Sequence, residues 1–473
     1  MSEDTHNHLA SFHRGDLDIA LPFFLDINGQ RYNCSKVLRL LPAKRLVVKA
    51  ESKGKFYVIK LFSNAQKGQR ELKREQSGFE QVTRSGVNTP KLAFFDSDTE
   101  GCSLIAYQYL TDLQTFNDDP NNINKYKKKL VKLIAKLHQA GIYQDDFHLD
   151  NILISKDKLF LIDLASIEVE AKNTAVSREV SLANLAKLIV QFVPKQQKKI
   201  VKRLRKYYTQ RDWSWNEEEK KRSKQYIHQA WQKRKTLYLK KRFRSCTMTF
   251  YKHNFQQQTA FRRSFINAVG QDFIGDIEQL VQGGDLLKDG NSATVVKVRY
   301  GDKQLVIKRY NIKSVWHLLK RCYRPSRAAV SWRNANLLEL LGIPTPKTLG
   351  FIEQRVGPFR KTAYLVCEYS DGQELIDAYQ SRMPTEPELA QLKTIFSVLR
   401  RYKISHGDLK ASNLLITQDG EISLIDLDAM QEHYRETTFQ KATVKDQQRF
   451  LKNWQQSAPE LGTMLDAALF NKN

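Results

Sequence analysis

The chain has 473 residues, with 77 Lys and Arg against 51 Asp and Glu, giving a formal charge of +26. It is 41% hydrophobic and 27% charged, an ordinary globular composition with room for about two to four domains. Its 21 Gly and 12 Pro exclude collagen-like and Pro/Gly low-complexity architectures, and its charge predicts a polyanionic partner.

Residues 1–8 are polar, with no basic stretch leading into an apolar run, so no secretory signal is expected. No run of about 18 apolar residues occurs, so the expectation is a soluble or peripheral protein. Five cysteines (34, 102, 246, 322 and 367) are too scattered for a zinc site or a disulfide framework, which suits a reducing compartment.

Residues 45–62 alternate apolar and polar and predict strands, followed by a helix ending near Gly86. A strand over 103–110 comes next, then a helix with Leu130, Leu133, Ile134 and Leu137 on one face. A polar loop leads to short apolar strands split by Lys156-Asp157-Lys158, which reads as a hairpin turn. Between Lys195 and Arg244 lie 19 Lys and Arg and 4 Asp and Glu, a net +15. Ile200, Leu204 and Tyr208 have helical spacing there, with Trp213, Trp215 and Trp231 further on. A basic helix with aromatics suits an anionic membrane surface or an anionic substrate, the alternative being a solvated face. No zinc-finger, RRM or KH signature is present, so no nucleic-acid partner is expected.

The pattern then repeats. Strands over 293–310, a helix ending near Gly342, a strand over 361–369 and a helix with Leu392, Ile395, Phe396 and Leu399 come in the same order, with a turn at 418–421. Gly86-Val-Asn-Thr-Pro-Lys91 returns as Gly342-Ile-Pro-Thr-Pro-Lys347, 256 residues later, and Leu161-Ile-Asp-Leu164 returns as Leu424-Ile-Asp-Leu427, 263 residues later. The chain reads as a duplicated α+β domain, 1–245 and 246–473, each with a sheet lobe preceding a helical lobe.

The chemistry concentrates in His406-Gly407-Asp408-Leu409-Lys410-Ala411-Ser412-Asn413 and Leu424-Ile425-Asp426-Leu427-Asp428. Phosphoryl transfer needs a carboxylate at the attacking hydroxyl and oxygen ligands for Mg²⁺ on the phosphates. Asp408 and Asn413, five apart on one loop, can divide those tasks, with Asp426 as a further ligand from the next hairpin. Lys308, on a strand of the N-terminal sheet, is placed to clamp phosphates. Taken singly, Lys308 could be a solvent-facing strand lysine, Asn413 an Asx turn and His406 a buried structural histidine. Their order on the expected elements favours the joint reading.

This pattern resembles the protein-kinase-like superfamily, with Gly407 where Arg is usual and Asp428 where the metal loop ends in Gly. Together with Lys308-Arg-Tyr-Asn311 and Gly342-Ile-Pro-Thr-Pro346, it is similar to the bacterial lipopolysaccharide kinases that phosphorylate core sugars, chiefly heptose. The likeness is close over 265–440 and looser over 38–170. It implies two tandem bilobal kinase-like domains using ATP and Mg²⁺, in a Gram-negative cytoplasm, peripheral on the inner membrane. The implied acceptor is the lipopolysaccharide core or its lipid-linked precursor.

By the same resemblance Asp408 orients or deprotonates the sugar hydroxyl, Lys410 neutralises the moving phosphoryl group, and Asn413 and Asp426 bind metal. Glu368 and Tyr369 form the hinge beside adenine, and Lys288–Thr294 covers the phosphates, although Gly290 is its only glycine. In the first copy Asp146, Asn151 and Asp163 keep the spacing, Lys60 matches Lys308, and Glu75 is the expected ion-pair partner of Lys60. That copy lacks the His-Gly, while the second has Ser331 where the helix acid would fall and Glu339 too near the helix end. The second copy is expected to be active, and the first either active or a degenerate partner. The alternatives are a kinase-fold enzyme acting on protein or a small metabolite, and a non-catalytic scaffold at the membrane.

Overall fold

The computed structural model describes residues 3–15, 19–99, 101–119, 121–170, 174–290, 292–311, 324–357 and 359–470. They form two compact mixed α/β units, Met1–Trp231 and Gln232–Asn473.

The first unit opens on a six-stranded antiparallel sheet in the spatial order Phe23–Ile27, Gln30–Leu41, Arg45–Ser52, Lys55–Ser63, Cys102–Gln108, Leu92–Thr99. Alternation sets its inner face: Phe23, Leu25 and Ile27 are buried while Phe24 and Asp26 face outward. Leu46, Val48, Ile59, Leu61, Leu104 and Ala106 join the same cluster. Helix Gln66–Arg84 interrupts the sheet after its fourth strand in sequence. The helical part begins with Asn122–Gln139, whose Leu130, Leu133, Ile134 and Leu137 are all buried, as their spacing predicts. Strands Ile152–Ser155 and Lys158–Leu161 form a hairpin, with Lys156 and Asp157 at positive φ in its turn.

The second unit has a seven-stranded antiparallel sheet, running from Thr249–His253 at one edge to Asp285–Gly290 at the other. Strand Lys303–Tyr310 lies between Ala293–Tyr300 and Phe359–Glu368, so Lys308 stands opposite Val295 and Leu365. Helix Arg327–Leu341 starts at Ser326, whose hydroxyl accepts from the Ala329 amide at 3.2 Å. Helix Glu386–Arg401 starts with a Thr385/Glu388 capping box and buries Leu392, Ile395, Phe396 and Leu399. Leu414–Thr417 and Ile422–Leu424 pair as the expected hairpin.

The basic segment becomes helices Pro194–Val201, Leu204–Gln210 and Glu217–Lys241. Ile200, Leu204 and Tyr208 are buried in the first unit, with Trp213 and Trp215 packed against them. Trp231 is buried as well. These apolar residues therefore do not present an interfacial face, contrary to the expectation. What remains outward is charge: Lys195, Lys198, Lys202, Arg205 and Lys206 are exposed. No helix among the described residues is long and apolar enough to cross a membrane.

Candidate active site

In the second unit the strand lysine meets the acidic turn. Lys308 Nζ lies 2.6 Å from Asp426 Oδ1 and 3.9 Å from Asp428 Oδ2. Asp426 is left-handed, at φ 59°, a conformation Asp tolerates better than bulkier residues. Arg327, in the first turn of the 327–341 helix, binds Asp428 Oδ2 through Nε at 2.8 Å and Nη2 at 2.6 Å. Two turns further along, Asn334 Nδ2 donates to the carbonyls of Leu427 at 2.9 Å and Met430 at 3.0 Å. The helix thus holds the turn from its first and third turns.

Burial alone would raise the Asp426 carboxyl, but the Lys308 ammonium, with Arg327 behind it, outweighs burial and holds it below the ordinary carboxylate value. Asp428 goes the other way, raised by burial and by repulsion from Asp426 against the pull of Lys308 and Arg327.

The loop carrying Asp408 is fixed through its backbone. Asp446, buried on helix Glu436–Lys452, accepts from the amides of His406 at 2.7 Å and Gly407 at 3.0 Å. His406 Nε2 donates to Ile425 O at 3.0 Å, tying the loop to the strand end that presents Asp426. Burial lowers the His406 pKa, so its ring is neutral at pH 7, and Nε2 is the protonated nitrogen because it faces a carbonyl. Asn413 Nδ2 donates to Asp408 O at 2.8 Å and Oδ2 at 3.3 Å. Asp408 also pairs with Arg449. Lys410 stands two residues beyond Asp408, at the entry to the short helix Ala411–Asn413.

Lys308, Asp408, Asn413 and Asp426 are therefore linked within one cluster. Glu368 and Tyr369 sit at the end of the strand beside Lys308, with Glu368 paired to Lys347 at 2.7 Å and the Tyr369 ring 3.9 Å from Lys297 Nζ. Ser331 is buried against the Tyr310 hydroxyl at 3.2 Å, and Glu339 pairs with Arg262 at 2.8 Å, away from Lys308. The Lys288–Thr294 turn includes residue 291, outside the described residues; Thr294 Oγ1 donates to Asp289 at 3.1 Å.

The first unit assembles its counterparts differently. Lys60 Nζ lies 2.5 Å from Glu75 Oε1, and Glu75, fully buried, also accepts from the Tyr107 hydroxyl and the Ala165 amide, both at 3.0 Å. Glu75 is the partner that the sequence assigns to Lys60. Gln144 Nε2 donates to Ile162 O at 3.0 Å, the bond His406 makes in the second unit. Asn151 Nδ2 donates to Asp146 O at 3.0 Å, and Asp146 pairs with His148 at 2.9 Å. Asp163, also at φ 59°, lies against Arg39 at 3.2 Å and Arg45 at 3.3 Å. A cavity of about 360 Å³ opens between these groups.

Sequence reasoning missed Arg327, Asp428, Asp446, Arg449, Arg39 and Arg45. Only Asp428 carried a local signal, the alternate acids of Asp426-Leu427-Asp428. Asp446 and Arg449 reach the loop from about 40 residues away, and spacing says nothing about such pairs.

The cluster can hold a phosphate against a lysine, retain an ionised carboxylate for a cation, and place a second carboxylate where a hydroxyl would arrive. Among the described residues no group of three or more His, Cys, Asp or Glu is arranged to cage a metal.

Residues 284–463 match the model of the lipopolysaccharide kinase (Kdo/WaaP) family. No curated protein matches the chain. Among solved structures it is similar to vaccinia related kinase 3, at 14% identity and a TM-score of 0.28, over 41% of this chain and 80% of that one. The family match suggests kinase activity on lipopolysaccharide, with the ATP use that a kinase implies, and it marks the chain as a phosphotransferase.

Proposed function

We propose that the second unit transfers a phosphoryl group from ATP to a sugar hydroxyl, most simply of heptose, in the lipopolysaccharide inner core or its lipid-linked precursor. The observation that carries this reading is the cluster in which Lys308 and Asp426 lie 2.6 Å apart and the His406–Ile425 bond joins them to the loop of Asp408 and Asn413. The two units are read as tandem kinase-like domains, each a sheet lobe followed by a helical lobe, at the cytoplasmic face of the inner membrane.

Magnesium-bound ATP supplies the transferable phosphoryl group and the positive charge that offsets its oxygens. The residues fit that group. The Asn413 amide nitrogen is spent on Asp408, which leaves its carbonyl oxygen as a cation ligand beside Asp426. Lys308 holds phosphate oxygens, and the strand end at Glu368 and Tyr369 borders the base. Asp408 orients the acceptor hydroxyl and takes its proton, while Arg449 fixes the carboxylate that does so. Lys410 neutralises the oxygens of the moving group.

The acceptor assignment is tested on the core oligosaccharide itself. Mass spectrometry of lipopolysaccharide from cells with and without the gene should show one phosphate fewer per core in its absence. An unchanged core would move the acceptor to protein or a small metabolite.

A further inference from the structure

The first unit carries a ready cavity whose electrostatics differ from those of the second. Its apolar wall includes Val47, Val58, Leu153 and Ile162, and at its rim Leu38 and Leu113 stay 43% and 41% exposed. Lys60, Arg39 and Arg45 line the same space. Arg45 is only 4% exposed, and its Nη1 lies 3.3 Å from Asp163 Oδ1. The cavity thus joins an apolar wall to cationic groups, as a site for an anionic ligand with an apolar part would.

Charge decides what that ligand is. In the second unit Lys308 and Arg327 face Asp426 and Asp428, two positive against two negative groups. In the first unit Lys60, Arg39 and Arg45 line the cavity with Glu75, Asp150 and Asp163, and two of the three cations sit on Asp163 itself. Asp163, which the sequence assigns to a cation, already lies within 3.3 Å of two guanidiniums. A divalent cation brought to it would sit beside two fixed positive charges. The donor set therefore suits phosphate oxygens rather than a metal, and guanidinium groups bind phosphate in bidentate fashion.

We propose that the first unit binds a nucleoside triphosphate without a divalent cation, its base against the apolar wall and its phosphates on Arg39, Arg45 and Lys60. This rests on the reading that the chain handles such nucleotides, but it concerns binding in the first unit alone. The test is calorimetric titration of the full-length Lys308→Met protein, in which the second site is disabled, with ATP in excess EDTA. One equivalent should bind without added metal. Arg39→Glu, at a side chain 52% exposed and so tolerant of change, should weaken that binding at least tenfold with the melting temperature preserved.

Asp163→Asn frees both guanidiniums and should leave affinity in EDTA unchanged or higher. Inorganic tripolyphosphate, lacking a base, should bind at least tenfold more weakly than ATP. No heat in EDTA, or binding that Arg39→Glu leaves untouched, would overturn the proposal. Tripolyphosphate binding as tightly as ATP would overturn the nucleotide assignment. Phosphotransfer by the wild-type protein is scored separately, so loss of the kinase reading and loss of this one are distinguishable.

Discussion

Gly407 shows how a departure from a familiar motif is imposed by geometry. It sits at φ 79°, and a Cβ there would lie 2.4 Å from the Ala429 carbonyl oxygen. The arginine usual in kinase loops cannot occupy that backbone, which is turned so that its amide reaches Asp446. Gly407→Ala should cost about 2–4 kcal/mol of stability, read as a lower urea midpoint for the second unit. A midpoint unchanged from wild type would contradict the geometry. His138 offers a second residue-scale test, on pH. Its ring lies between Tyr207, 2.6 Å from Nδ1, and Asn184, 3.1 Å from Nε2, with Arg211 close by. Burial first, and then Arg211, push its pKa down to about 3. The unfolded chain takes up this proton near pH 6.5, while the folded chain resists it, so stability falls as pH drops below about 6.5. The loss should reach about 2 kcal/mol at pH 5, and His138→Gln should remove that part of the dependence. Equal pH slopes for both proteins would refute it.

At the scale of elements, one interface is built twice with its charges exchanged. In the first unit helix Gln66–Arg84 carries the acid, Glu75, onto the Ala165 amide, and Gly78 lets the helix close on the turn. A Cβ on Gly78 would lie 2.0 Å from the Leu164 carbonyl oxygen. In the second unit the turn carries the acid, Asp428, and the helix carries Arg327, while Asn334 replaces close approach by two hydrogen bonds. The 3.9 Å contact of Asp428 with Lys308 then supplies the negative charge that Ser331 cannot. Arg327 is a positioning residue in this account. Arg327→Met should raise KM for ATP five- to tenfold with a smaller change in kcat, and Arg327→Lys should recover part of it. A fall confined to kcat would mean that the pair acts in chemistry instead. The sequence shows the strands, the helices and the Lys308, Asp408, Asn413, Asp426 series, because each rests on local periodicity or short spacing. It hides the exchange, because Arg327 and Asp428 are 101 residues apart and each alone reads as surface charge. Gln144 was legible only as a lost histidine, although its amide makes the same bond to the strand end.

Over the whole molecule, the positive surplus is sorted by packing. Within Lys195–Arg244, Arg211 is buried under Trp213, Lys235 pairs with Glu432 at 2.5 Å, and Arg242 is buried beside Tyr238. Helical periodicity cannot tell an apolar face meant for lipid from one meant for the protein's own core, and here Ile200, Leu204 and Tyr208 belong to the core. An anionic acceptor would therefore be met by charge alone, through Lys198, Lys202, Arg205 and Lys206. At about 1 kcal/mol per base near an anionic surface, replacing these four by Gln should raise KM for a lipid-linked acceptor by up to about a thousandfold. The free sugar should be affected far less, and an equal effect on both would remove the docking role.

On the function proposed above, phosphoryl transfer takes place in the second unit. It is tested most directly by transfer of labelled phosphate from ATP to purified inner-core lipopolysaccharide, comparing wild type with Asp408→Asn and Asp146→Asn. Asp408→Asn should lose about 10²–10⁴-fold, as expected on removing a general base, with ATP binding retained and Asp146→Asn close to wild type. Full activity in Asp408→Asn, with activity lost in Asp146→Asn, would place the chemistry in the first unit and contradict it.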